Sequence, residues 1–207
     1  TIIGIDKDFV KVDFINNGHA PVSENGLNQL VKKNLLNGKF RATNNINDAI
    51  SKTSCSIIAV GTPVNKNNDL DLKAVEACII SISNTLKSLQ KKKHTIIIRS
   101  TVPPGTTNRM LVLSSKISGL KLGENLLGGM NPEFLREGNA VKDFFDPSVI
   151  VIGANDKKSF RKIRNIYREV ESKIFKVTLN EAEIIKYTNN SFHAMKIAFA
   201  NEVGRVA

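Results

Sequence analysis

Short β-branched runs alternate with longer stretches of helical spacing along the whole chain, and this alternation limits the fold more than any other feature. The runs fall at residues 1–6, 56–60, 94–99, 148–152 and 173–178, with helical stretches at about 7–17, 26–36, 70–90, 106–117 and 157–170. Strands separated by helices build βαβ units and so a mainly parallel sheet. The runs are apolar throughout, as strands covered on both faces must be. The stretch from about 180 to 207 reads as one long helix, with Asn180 as N-cap and Glu183 at the capping-box position.

The first run closes on Asp6. In a doubly wound sheet such a strand is usually the second, and a first strand with its glycine-rich turn comes before it. No G-x-G-x-x-G occurs in the sequence, and the first residue is Thr1 rather than Met. The expectation is therefore an α/β fold: a Rossmann-like doubly wound, mainly parallel sheet lacking its first strand and Gly-rich turn, followed by the start of a long central helix. Residues 1–178 would form the partial sheet domain and 179–207 the start of the helix. The chain reads as an interior slice of a longer one.

Composition narrows the function classes. Two cysteines, Cys55 and Cys78, in 207 residues exclude a disulfide scaffold. No apolar run approaches the roughly 20 residues of a membrane span, and nothing resembles a signal peptide, so a soluble cytoplasmic protein without a membrane partner is expected. The formal net charge of +11 makes a basic nucleic-acid-binding module the alternative from another class. Aromatic residues are only 6% of the chain, Trp is absent and Lys is dispersed, which argues against a nucleic-acid partner. No Cys/His spacing suggests a metal site.

Several residues could carry chemistry, and each also has a plainer reading. Asp6 could accept the hydroxyls of a nucleotide ribose or cap a helix. Lys11, one turn on, could reach the same ribose or simply be solvated. Thr62 in Val60-Gly-Thr-Pro63 and Thr101 in Ser100-Thr-Val-Pro-Pro-Gly-Thr106 stand at the carboxyl ends of strands, where open α/β sheets bind ligands; Thr106 or Thr107 could cap the helix that follows. Asn131-Pro-Glu-Phe-Leu-Arg-Glu-Gly138 is the most unusual segment. Pro132 holds Asn131 extended, and one helical turn would stack Glu133 on Glu137, as a base and ligand anchor or as a helix entry. On the terminal helix Lys186, Asn190 and His193 fall within about 60° of one another, with Asn201 continuing the stripe. Ile185, Phe192, Met195, Phe199, Val203 and Val206 form the opposite face, read as the core face.

Five segments taken in order, Gly4-Ile-Asp6, Val60–Pro63, Ser100–Thr106, Asn131–Gly138 and Ile185–Asn190, resemble the UDP-glucose/GDP-mannose dehydrogenase family. The similarity covers essentially the whole chain. The segments His94–Thr101, Phe192–Lys196 and Phe199–Glu202 look like the branch acting on GDP-mannose; the alternative is a UDP-glucose or other UDP-hexose enzyme. The resemblance implies oxidation of the C6 hydroxyl of a nucleotide sugar to a carboxylate in two hydride transfers to NAD. It implies that Asp6 and Lys11 hold the adenosine ribose and that Thr62, Thr101 and Glu137 line the cofactor site. It makes Glu133, Lys186 and Asn190 catalytic, and puts Glu133, Phe134, Leu135, Glu137, Lys186, Asn190, His193 and Asn201 at the sugar. It also implies a homodimer through the central helix, and a catalytic Cys that matches neither Cys55 nor Cys78. The fragment alone is therefore expected to be inactive.

Overall fold

Side-chain caps written into the sequence start three of the helices. Asp8 accepts the N–H groups of Val10 and Lys11 at the head of α1 (Phe9–Asn16), Asn45 accepts that of Asp48 in α3 (Ile46–Lys52), and Asp156 accepts those of Lys158 and Ser159 in α7 (Lys157–Arg164). The computed structural model describes residues 1–67 and 69–206. Between these helices run β1 (Ile2–Ile5), α2 (Leu27–Leu36), β2 (Phe40–Thr43), β3 (Cys55–Ile58), α4 (Lys73–Ser88), β4 (His94–Ile98), α5 (Thr106–Ser118), β5 (Leu126–Met130), α6 (Ala140–Phe145), β6 (Ile150–Gly153) and β7 (Ile174–Val177). A short 3₁₀ turn, Asn165–Tyr167, follows α7, and α8 (Leu179–Val206) ends the described chain.

Two hydrogen-bonded groups of strands result. β1 and β2 pair in parallel, and a second sheet runs β3-β4-β5-β6-β7. All its pairings are parallel except that β6 runs against β5. The sequence β2-β1 then β3-β4-β5 is the doubly wound order with its central first position left open. Among the described residues no strand joins β1 to β3. Ile2, Ile5 and Ile57 of those two strands are 69%, 47% and 51% exposed, unusual for α/β strands.

The main core lies under β3–β5, with Ile79, Leu86, Ile96, Ile98, Met110 and Leu126 all 2% exposed or less. α4 and α5 cover this face, and Ile97 and Ile152 form a smaller cluster with Ile163 of α7. α8 crosses back over β6 at Gly153, where a Cβ would come within 2.6 Å of Ala182 Cβ and 2.9 Å of Thr178 O. Only a residue without a side chain lets the helix start so close to the sheet.

The structure corrects three local expectations. The capping box of the terminal helix is Thr178 with Glu181: the Thr178 N–H donates to Glu181 Oε2 (2.7 Å), and the Glu181 N–H donates back to Thr178 Oγ1 (3.2 Å). Asn180 and Glu183 lie inside the helix. The supposed core face is bare beyond Tyr187: Phe192, Met195, Phe199, Val203 and Val206 are 51–90% exposed, because nothing among the described residues packs on the outer half of α8. Residues 131–136 form no helical turn, so Glu133 and Glu137 are not stacked.

Candidate functional site

Parallel β3, β4 and β5 end on one side, and their carboxyl ends present the Val60–Thr62 turn, the Arg99–Thr101 turn and Asn131; in the other sheet Asp6 follows the end of β1. Asp6 is held by the Asp8 N–H (3.0 Å) and by Lys11 Nζ (3.0 Å). The Asp8 N–H and the Lys11 ammonium outweigh its slight burial and hold the carboxyl below its usual value. Asp8 is the helix cap, so Asp6 is left as an acceptor facing solvent. Thr62 Oγ1 donates to the Thr101 carbonyl (2.8 Å), which ties the two hydroxyl-bearing turns together. An ionised acceptor at the end of β1 suits the ribose diol of NAD and repels an added phosphate. These residues fit the adenosine half of the cofactor; no glycine-rich turn for the pyrophosphate belongs to this sequence.

A cavity of about 750 Å³ opens where β5 ends against α8. Its wall carries Glu133, Phe134 and Leu135 from the loop after β5, and Lys186, Asn190 and His193 from α8. Lys186 is 5% exposed and donates to Glu133 Oε1 at 2.8 Å. The other carboxylate oxygen accepts the Leu135 N–H (2.7 Å), and the Phe134 ring lies 5.7 Å from Lys186 Nζ. Burial by itself pushes the Glu133 carboxyl up; the Lys186 hydrogen bond, the Leu135 N–H and the charges of Lys186 and Arg99 outweigh it and leave the group below its ordinary value. The site thus holds an ionised carboxylate against a desolvated ammonium.

Of the residues singled out in the sequence, six meet on this cavity: Glu133, Phe134, Leu135, Lys186, Asn190 and His193. Asp6, Lys11, Thr62 and Thr101 stand apart at the ends of β1, β3 and β4. Glu137 and Asn201 are exposed and line neither. Cys55 and Cys78 also lie elsewhere. Burial pushes the Cys55 thiol up to about 11, the nearby Lys162 charge offsetting part of that, and burial pushes Cys78 up as well, so neither is a ready nucleophile.

Other residues that shape the site have weak sequence signals. Glu183, fully buried, accepts the N–H groups of Gly105 and Thr107 at 2.6 Å each. It caps α5 from outside, the task expected of Thr106 or Thr107, and sits one turn before Lys186. Glu24 accepts from Gly138 N (2.8 Å) and Ala140 N (3.2 Å), closing the far end of the 131–138 loop. Arg136 chelates Asp143 through Nε (3.0 Å) and Nη2 (2.7 Å). The 76 and 114 residues separating Glu183 from Thr107 and Glu24 from Gly138 put these ties beyond local pattern reading.

Residues 1–171 match the NAD binding domain of the UDP-glucose/GDP-mannose dehydrogenase family, and residues 180–207 match its central domain. A GDP-mannose 6-dehydrogenase of Pseudomonas syringae pv. tomato is 42% identical over the whole chain, which covers 47% of that relative. A UDP-glucose 6-dehydrogenase of Haloferax volcanii is 35% identical over 99% of the chain and 48% of the relative. The chain thus spans about half the length of the curated relatives it matches. Among solved structures, a ternary complex of GDP-mannose dehydrogenase from Pseudomonas aeruginosa superposes with a TM-score of 0.94 at 41% identity, covering 99% of this chain and 47% of that one. Among the described residues no helix is long and apolar enough to cross a membrane, and no cluster of acidic, His and Cys side chains could hold a metal ion.

Proposed function

This chain belongs to the UDP-glucose/GDP-mannose dehydrogenase family, and from that premise we propose that it is the cofactor-binding part of an NAD-dependent enzyme oxidising GDP-mannose at C6 to the mannuronate. The observation that carries this reading is the pair of the buried Lys186 with the half-buried Glu133 on the cavity wall it shares with Asn190 and His193. NAD, when bound, supplies the hydride acceptor. The chain's own residues would do the rest. Asp6 and Lys11 would take the ribose, with Thr62 and Thr101 on the same rim. The Lys186 ammonium, aimed by Glu133, would donate to the sugar oxygen as it gains negative charge, and Asn190, one turn on, would add a second donor. The Glu133 carboxylate, held ionised, would accept a proton from the alcohol or from the water of the later hydrolytic step. His193, Phe134 and Leu135 would orient the sugar.

The same reading divides the chain into a partial NAD-binding domain, 1–178, and the start of a central helix, 179–207, through which two copies would pair. It needs an acyl-accepting thiol other than Cys55 and Cys78. The relatives that carry a UDP-glucose name support the runner-up substrate at lower identity, 35% and 38% against 42%. The protein expressed from the full reading frame that encodes this chain should reduce two NAD per GDP-mannose and be slower with UDP-glucose. Glu133→Gln should lower kcat by about 100-fold or more while NAD binding is retained. Equal losses in both would remove Glu133 from the chemistry, and faster turnover of UDP-glucose would reassign the substrate.

A further inference from the structure

Arg99 follows the end of β4 and lines the cavity that Glu133 and Lys186 share. Its Nη1 donates to Asn131 Oδ1 (3.0 Å) and to the Tyr167 hydroxyl (2.9 Å). That hydroxyl donates onward to the same Asn131 oxygen. The Asn131 amide nitrogen donates to the Val151 carbonyl on β6 (2.9 Å), and its backbone N–H donates to Ile98 O on β4 (2.9 Å). Asn131 and Tyr167 are 4% and 6% exposed. Among the described residues Arg99 has no carboxylate partner within ion-pair distance.

A half-buried guanidinium without a counter-ion is an expensive way to hold two neutral groups. A Gln or Met could fill the space without the desolvation. What the guanidinium adds is a planar Nη1 whose two fixed N–H directions serve two acceptors at once. The clamp ends on Asn131, two residues before Glu133, and the intervening Pro132 has its φ locked. Rotation of Asn131 therefore swings Glu133 directly. The loop after Glu133 has no helix or strand of its own to steady it.

We infer that Arg99 and Tyr167 are positioning residues for the reaction: through Asn131 they fix where the Glu133 carboxylate meets Lys186. The inference rests on the reading of Glu133 and Lys186 proposed above. Neither Arg99 nor Tyr167 needs to touch the sugar to act in this way, and the guanidinium charge also favours the ionised form of Glu133.

The test uses the protein from the full reading frame, as wild type, Arg99→Gln, Arg99→Lys and Tyr167→Phe. Arg99→Gln should lower kcat about 100-fold, with KM for NAD and for the nucleotide sugar within about threefold of wild type. Arg99→Lys should recover part of kcat, since one ammonium can reach one of the two acceptors. Tyr167→Phe keeps the guanidinium, so a loss of about 10-fold in kcat there reads position rather than charge. Carbon NMR of the Glu133 carboxyl gives a second readout, and its titration midpoint should rise in both Arg99→Gln and Tyr167→Phe. A kcat within threefold of wild type in Arg99→Gln, or an unmoved Glu133 midpoint in both variants, overturns the clamp. If the wild type oxidises no nucleotide sugar, the functional reading fails instead, and the Glu133 midpoints still decide whether Arg99 and Tyr167 set that carboxylate.

Discussion

Acidification should destabilise the fold well before its carboxylates titrate, and the reason is His94. The imidazole opens β4 and is 2% exposed. Nε2 meets Ser56 Oγ at 2.9 Å, while Nδ1 has no partner among the described residues. Burial, with the Lys91 charge adding to it, holds the ring down to about 4 from an ordinary 6.5. A group depressed in the folded state contributes stability above its unfolded pKa and loses it as pH falls towards the folded one. Between about pH 7.5 and pH 5 the unfolded chain takes up this proton and the folded chain does not, which removes about 2 kcal/mol of stability. Urea unfolding of wild type and His94→Gln across that range isolates the contribution. The carboxylates of Asp6, Asp48, Glu133, Asp143 and Glu181, whose values are lowered in the fold, contribute stability that is lost mainly below about pH 4.5. They are present in both proteins and cancel in the difference. The wild-type curve should fall towards that of the variant by about 2 kcal/mol. Parallel curves down to pH 5 would mean that the folded protein accepts the proton, and the burial argument would be wrong.

Two further substitutions test how α8 is seated. Gly153→Ala should destabilise by about 1–3 kcal/mol by overpacking, because the added methyl meets Ala182 and the Thr178 carbonyl; amide exchange should quicken in the first turns of α8, and a neutral result would show that the helix start yields freely. Glu183→Gln should lose about 2 kcal/mol, since one amide oxygen cannot accept from both Gly105 and Thr107 and the NH₂ would face the second N–H; thermal unfolding reads this, and unchanged stability would mean that water replaces the carboxylate.

The fold was most readable where burial is two-sided. Thr95–Ile98 sits in mid-sheet with every residue of β4 buried, so an unbroken β-branched run is its full signature. β2 was missed because Phe40-Arg41-Ala42-Thr43 pairs only with β1 and carries no alternation or run. β5 holds two glycines that propensity penalises, yet a Cβ at Gly128 would come within 2.6 Å of Ile96 O, so the tight packing selected against propensity. The polar stripe on α8 was legible by angle alone, since Lys186, Asn190 and His193 do line one cavity. Its carboxylate partner was not, because Glu133 lies 53 residues away. The reading of Phe192, Met195 and Phe199 as a core face failed for a related reason. Amphipathicity says that a face wants cover, not which body covers it.

The two halves of the candidate site reach each other by unlike routes. Lys186 arrives on a helix, whose azimuth is set by Glu183 gripping the α5 N-terminus one turn earlier and whose approach is set by Gly153. Glu133 arrives on a segment with no regular structure, so its place must be set from the ends: Asn131 clamped by Arg99, Tyr167 and Val151 on one side, and Gly138 and Ala140 held by Glu24 on the other. The second route is the more fragile at its far end, because Gly138 is exposed and Glu24 and Ala140 only half-buried, so hydrogen bonds there compete with water. The buried end must therefore carry most of the precision. A carboxylate that has to stay ionised against a desolvated ammonium tolerates little wandering, since separating the pair leaves Lys186 buried without a counter-charge. The polar network beneath the loop is thus a requirement of the pair above it, and the loop's irregularity is what leaves the Leu135 N–H to hold the Glu133 carboxylate instead of being spent in a helix.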